Sequence, residues 1–155
     1  MSDSVQFMMG EFEAEFPTDR LYAKNHMWAS PIEQGFRFGF TAYAVRLLQD
    51  VYFLDWEVDA GAQVTEKQEI GSIESKKAES SLYAPIGGQL STINELLLSD
   101  PSHINVDKYG DGWLFEIRAE AERSMQESLL DPQQYVKHLE TVWEVTQRTI
   151  KGQLN

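Results

Sequence analysis

The chain has no cysteine. That excludes disulfide staples, thiolate nucleophiles, cysteine-ligated zinc and iron–sulfur clusters, so any redox chemistry must arrive with a cofactor. Basic residues are also scarce. Thirteen Lys and Arg stand against 25 Asp and Glu, giving a formal net charge of −12 over 155 residues. The phosphate backbone of nucleic acid and anionic lipid both repel such a body, so neither a nucleic acid nor a membrane is expected as partner. The same charge favours docking on basic patches of other proteins. Long apolar runs are missing too, since no segment approaches the ~20 residues of a membrane span. Residues 1–15 carry acidic side chains and no basic n-region, so they are not read as a signal peptide and a cytoplasmic location is expected.

Hydrophobic residues make up 42% of the chain and aromatics 12%, enough for a folded core of about one domain. Residues 1–20 contain Asp3, Glu11, Glu13, Glu15 and Asp19 with a Phe16-Pro17 pair, and are read as a loosely attached acidic arm. From Leu21 the texture changes to short apolar segments punctuated by Gly, Pro and Asp, the pattern of short strands. Phe36 to Phe40 alternates with period two. Thr41 then caps a short helical run through Leu48. Val51–Leu54, Glu69–Ser75, Ala78–Tyr83, Leu90–Ile93 and Trp113–Ile117 read as further strands. From Ala119 the pattern turns helical: Pro132 follows Asp131 at a first-turn position, and Tyr135, Val136, Leu139, Val142, Trp143 and Val145 mark one face as far as Thr149. The expectation is a mainly β, β-rich α+β protein: an arm (1–20), a core (21–118) and a helical extension (119–155).

The reversal at Ser75-Lys76-Lys77-Ala78 breaks a local rule. Tight two-residue hairpins favour Asn-Gly or Gly-containing pairs, because their central residues need positive φ. Two adjacent lysines have no such preference, and their like charges repel. A rule broken without structural gain marks a candidate functional position. A lysine that receives a long acyl arm needs such a rigid, exposed tip.

Ile73-Glu74-Ser75-Lys76-Lys77-Ala78 resembles the lipoyl-attachment motif of the glycine cleavage H-protein family, Glu-Ser-x-Lys-Ala, which maps the modified lysine to Lys77. Leu82 to Gly88 is similar to the segment that follows the lysine, with its Pro-x-x-Gly ending. Tyr109-Gly110-Asp111-Gly112-Trp113 resembles the family's Tyr-Gly-x-Gly-Trp, and Gly39 to Ala44 its Gly-Ile-Thr-x-x-Ala. Tyr22, His26 and Trp28 match its opening pattern, so the resemblance covers about Leu21 to Ile117. Biotinyl domains share the hairpin lysine, but theirs is usually flanked by Met, and here the neighbours are Lys76 and Ala78.

The resemblance implies a lipoyl-type β-sandwich of barrel-sandwich-hybrid fold with short helices and a C-terminal helix. It implies a carrier, not an enzyme, with lipoate covalently on Lys77 and no catalytic or metal-binding residues. Glu74, Ser75 and Ala78 complete the lipoylation motif, Glu79 is a candidate for recognition by the lipoylating enzyme, and His26 for contact with the arm or a partner. The implied partners are glycine decarboxylase, aminomethyltransferase, dihydrolipoyl dehydrogenase and a lipoate ligase or lipoyltransferase, acting on a monomer. Two departures bear on the cargo. Met27 and Ser81 stand where the family has acidic residues near an amine-bearing arm, and Gln49 replaces a usual Gly. The alternatives are a lipoate-binding sulfur carrier for a heterodisulfide-reductase-like sulfur-oxidation system, and a non-lipoylated interaction module of the same fold.

Overall fold

The computed structural model describes residues 3–119 and 128–154. Its largest sheet is built from β3 (Leu21–Ala23), β4 (Met27–Ile32), β5 (Gly35–Phe40), β7 (Gln63–Val64), β10 (Gly88–Ile93), β11 (Phe115–Arg118) and β12 (Leu129–Leu130). They lie in the order β12–β3–β4–β5–β11–β10–β7, and every paired neighbour is antiparallel. A second sheet, β6–β8–β9, comprises β6 (Val51–Trp56), β8 (Glu69–Ser75) and β9 (Glu79–Tyr83). Alternation along these strands sends Phe38, Leu90, Phe115 and Ile117 from the first sheet, and Ile70, Ile73 and Leu82 from the second, into one core. Each such burial contributes about 1.5–3 kcal/mol. Gly39 is required by close approach: a Cβ there would lie 2.5 Å from the indole of Trp28.

A second core sits on the outside of the β4 end of the sheet. There α1 (Ala42–Leu48) and α4 (Pro132–Leu154) meet β1 (Ser4–Met9) and β2 (Phe12–Pro17), around Tyr22, Trp28, Tyr43, Tyr135 and Leu139. Helix α1 begins as its sequence predicts, with the Thr41 hydroxyl accepting the Ala44 N–H at 3.3 Å. Helix α4 begins with a reciprocal cap. The Asp131 carboxylate accepts the Gln134 N–H at 2.8 Å, and the Gln134 side chain accepts the Asp131 N–H at 3.0 Å. Two one-turn helices, α2 (Leu96–Ser99) and α3 (His103–Val106), fill the connection from β10 to β11.

Three expectations need correction. The acidic segment is not a loose arm, because β1 and β2 form a regular antiparallel hairpin with Met9 opposite Phe12. Its inward residues Ala14 and Phe16 are fully buried. The extension is not helical throughout, since Leu129-Leu130 adds a strand to the edge at β3. The helical reading of residues 120–127 lies outside the described residues. Val145 does not belong to the packed face of α4, being 61% exposed, whereas Tyr135 and Leu139 are fully buried.

Candidate functional site

The lysine tip joins β8 to β9 across the register pair Glu74–Glu79. Neither Lys76 nor Lys77 has a positive φ. The side chain of Ser75 explains why none is needed. Its hydroxyl accepts the Ala78 N–H at 3.2 Å and donates to the Ala78 carbonyl at 3.1 Å, while the Ser75 N–H donates to that carbonyl at 2.9 Å. A hydroxyl thus takes the amide proton that a backbone carbonyl would take in a primed turn. The Lys76 N–H donates to the Asp50 carbonyl at 2.8 Å, which ties the tip to the start of β6. The lysine side chains stand exposed on a fixed backbone, and the exposed Glu74 and Glu79 carboxylates face each other at its base. Like charges directly opposite are unfavourable in a sheet, so this pair is not there for stability.

The Asp50 anchor is itself held from α3. The Asn105 side chain accepts the Val51 N–H at 2.9 Å and donates to the Gln49 carbonyl at 2.6 Å. Gln49 has φ 59° and ψ −139°, a conformation that favours glycine, which gives a physical reason for the glycine expected there. A bulge between Val51 and Phe53 turns both Tyr52 and Phe53 outward beside the tip.

Behind the tip, between β9, α1 and the β3–β4 turn, lies a groove of about 240 Å³. Met27, Phe40, Leu47, Leu48, Ile73 and Leu82 supply its apolar walls, and Asn25, His26, Ser80 and Ser81 its polar atoms. Both positions that depart from the family pattern, Met27 and Ser81, line this groove. Among the described residues no carboxylate lines it, and Glu79 stays outside. Strand β9 leads to it directly, since Ser81 lies four residues from Lys77, roughly 13 Å at strand rise.

His26 is placed at the groove, not at the hairpin tip. Its Nδ1 lies 2.9 Å from the hydroxyl of Tyr135, which lies 3.0 Å from the hydroxyl of Thr41. With the Ala44 N–H donating to Thr41, a consistent polarity runs from Thr41 to Tyr135 to an unprotonated Nδ1. Burial, and secondarily the nearby His138, pushes the His26 pKa down to about 4, so the ring is neutral near pH 7. The ring also lies 4.6 Å from that of Tyr43. Sequence reasoning missed Tyr135 as part of the site. It marked one apolar helix face, and no local signal announces a contact across 109 residues.

A model of the family described as glycine cleavage H-protein matches residues 20–142. The glycine cleavage system H protein of Pseudoalteromonas atlantica is 41% identical over 128 residues, covering 82% of this chain and 98% of its own. That of Rubrobacter xylanophilus is 36% identical over 127 residues, covering 82% and 97%. A crystal structure of a glycine cleavage system H protein from Mycobacterium marinum superposes with a TM-score of 0.69 at 32% identity, over 79% of this chain and 97% of that one. With its sheets, its hairpin and its sequence in agreement, the chain belongs to the glycine cleavage H-protein family.

Proposed function

We propose that Lys77 is the lipoylated residue of a glycine cleavage H protein, and that the groove behind β9 is where its arm rests. Membership of this family makes the chain a lipoyl carrier, not a catalyst. The observation that carries the residue assignment is the tip itself: an exposed lysine on a backbone fixed by Ser75 and Asp50. A covalent arm fits such a residue, because the ligase must reach the amine while the anchor stays still. The dithiolane of lipoate supplies two sulfurs that this cysteine-free chain lacks, and through them the capacity to carry an aminomethyl group. The protein's part is to hold the tether at high effective concentration and to be recognised by each enzyme in turn.

In this reading Glu74 and Glu79 present paired carboxylates to a basic lipoate ligase or lipoyltransferase. Tyr52 and Phe53 offer apolar contact beside the tip to glycine decarboxylase, aminomethyltransferase and dihydrolipoyl dehydrogenase. His26, held neutral by burial and oriented by Tyr135, gives the arm a hydrogen-bonding partner without a charge. Intact mass after incubation with lipoate, ATP and a lipoate ligase tests the assignment. The wild-type chain gains one lipoyl increment, mapped by peptide digestion to Lys77, and Lys77→Arg gains none while its stability changes by less than about 0.5 kcal/mol. Modification at Lys76, or none at all, overturns it. Glycine-dependent carbon dioxide exchange with a decarboxylase tests the pathway. The apolar groove favours a second reading, a sulfur-carrying arm, which absence of exchange in a competent system would select.

A further inference from the structure

We infer that the lipoylating enzyme docks on a face built by β6, α2 and α3, and that this docking selects Lys77 over Lys76. The inference rests on the reading of Lys77 as the lipoylated residue. The tip alone is a poor guide to that choice. Both lysines stand exposed on one four-residue turn. Their Cα atoms are about 3.8 Å apart, a displacement that a flexible four-carbon side chain spans easily. The acyl transfer is the same at either residue: an unprotonated amine attacks the carbonyl carbon of lipoyl adenylate and the amide C–N bond forms. The acyl C–O bond breaks, AMP leaves, and one amine proton passes to solvent. The chemistry does not discriminate, and a bare chain has no arm for the enzyme to grasp. What remains is protein surface.

Apolar surface is concentrated where such a contact falls. Among the described residues eight large hydrophobic side chains are exposed, and five belong to this face: Tyr52 and Phe53 on β6, Leu96 and Leu98 on α2, and Val106 on α3. Helix α2 packs against both β6 and α3. The fold does not need these side chains. Leu97 and Ile104 anchor the two helices, fully buried, while Leu98 is 60% and Val106 81% exposed. The bulge between Val51 and Phe53 turns two successive β6 side chains outward, where alternation would bury one. Apolar surface grouped in this way marks an interaction site.

The face is also registered to the tip. Asn105 of α3 bonds the Gln49 carbonyl and the Val51 N–H on either side of Asp50, and the Asp50 carbonyl holds the Lys76 N–H. An enzyme seated on α2 and α3 therefore meets the two lysines at a fixed offset. Charge favours this occupant. No Lys or Arg lies between Arg46 and Lys67, or between Lys77 and Lys108, and the apolar centre is bordered by the exposed acids Asp50, Glu95, Asp100 and Asp107. An enzyme that holds the carboxylate of lipoate and the phosphates of ATP needs cations about its active-site mouth, and those match an acidic rim.

Lipoylation of the full chain by a lipoate ligase, with lipoate and MgATP, is followed as initial rate against chain concentration and by peptide mapping of the product. Leu98→Asp and Val106→Asp, both at exposed positions, should raise KM for the chain on the order of tenfold with kcat little changed. The ratio of Lys76 to Lys77 product should rise by a similar factor, a readout that a loss of stability does not move. Glu95→Lys should raise KM at low salt and less so at high salt. Met8→Asp, exposed on the N-terminal hairpin, should leave KM and the ratio unchanged. Urea midpoints check that each variant is folded. An unchanged KM in both Leu98→Asp and Val106→Asp, or a raised KM with Lys76 still unlabelled, overturns the inference, because the tip alone then chooses the lysine. Failure of the underlying reading looks different: the wild-type chain gains no lipoyl group, or gains it on Lys76.

Discussion

Two hairpins of this protein solve opposite problems. At the N-terminus, Gly10 takes φ 65° in a two-residue turn, as a primed turn requires, and β1 and β2 drive Ala14 and Phe16 into the second core. Phe16 meets Tyr135 edge-on at 5.1 Å and Tyr22 at 5.9 Å, and the Tyr109 and Tyr22 hydroxyls donate to the Glu15 and Pro17 carbonyls, each at 2.5 Å. That hairpin is all anchor. The β8–β9 hairpin is anchored at its base and bare at its tip: Ile73 and Leu82 are buried, while everything from Lys76 to Ser80 is exposed. The lesson is that a presentation site needs stiffness from its backbone, supplied by Ser75 and Asp50, and nothing that holds its side chain.

The contrast can be broken or sharpened by graded substitutions. Phe16→Ala should cost about 3–5 kcal/mol in urea unfolding, because it empties a closed aromatic cluster. A loss below about 1 kcal/mol would return the N-terminal hairpin to the status of a loose arm, and lipoylation of the folded fraction should not change. Next in size is acid sensitivity at His26, between the two hairpins. Its proton is bound below about pH 6.5 in the unfolded chain but only below about pH 4 in the fold. The unfolded state therefore takes up more protons in that window, and stability falls as pH drops through it, by up to roughly 3 kcal/mol. His26→Asn, which tolerates the φ of 70°, should flatten that limb in urea titrations at pH 7, 5.5 and 4.5. An unchanged slope would show that His26 is not the group responsible. Gln49→Gly should stabilise the support of the lysine tip by about 1 kcal/mol through relief of its positive φ, measured as a rise in Tm. Smallest is Ser75→Ala, near 0.5–1 kcal/mol, with slower lipoylation as the tip loosens. Unchanged lipoylation there would mean that the ligase, not the hydroxyl, shapes the turn.

Much of the carrier face was legible because its signals are local. The period-two run Phe36–Phe40 gave β5, apolar segments between turn residues gave β6, β8 and β9 to within two residues, Thr41 gave the start of α1, and Asp131-Pro132 gave the start of α4. The unusual lysine pair drew attention to the turn between β8 and β9. The N-terminal hairpin was legible too, in the alternation Phe12-Glu-Ala-Glu-Phe16 after Gly10-Glu11, but its acidic residues masked the pattern. Those acids proved to be the outward face of a strand whose inward face is Phe12, Ala14 and Phe16. Leu129-Leu130 gave no strand signal, since two residues carry no period and the pairing is supplied by the open edge of β3.

Family, fold and the position of Lys77 are thus set by sequence alone, because turn chemistry, strand alternation and attachment motifs act over a few residues. The groove was not. Met27, Leu47 and Ser81 become neighbours only when two sheets and α1 close together, the neutral state of His26 comes from its burial, and its hydrogen-bond partner Tyr135 stands 109 residues away. Burial and the pKa shift it causes exist only once the chain has excluded water from a particular place.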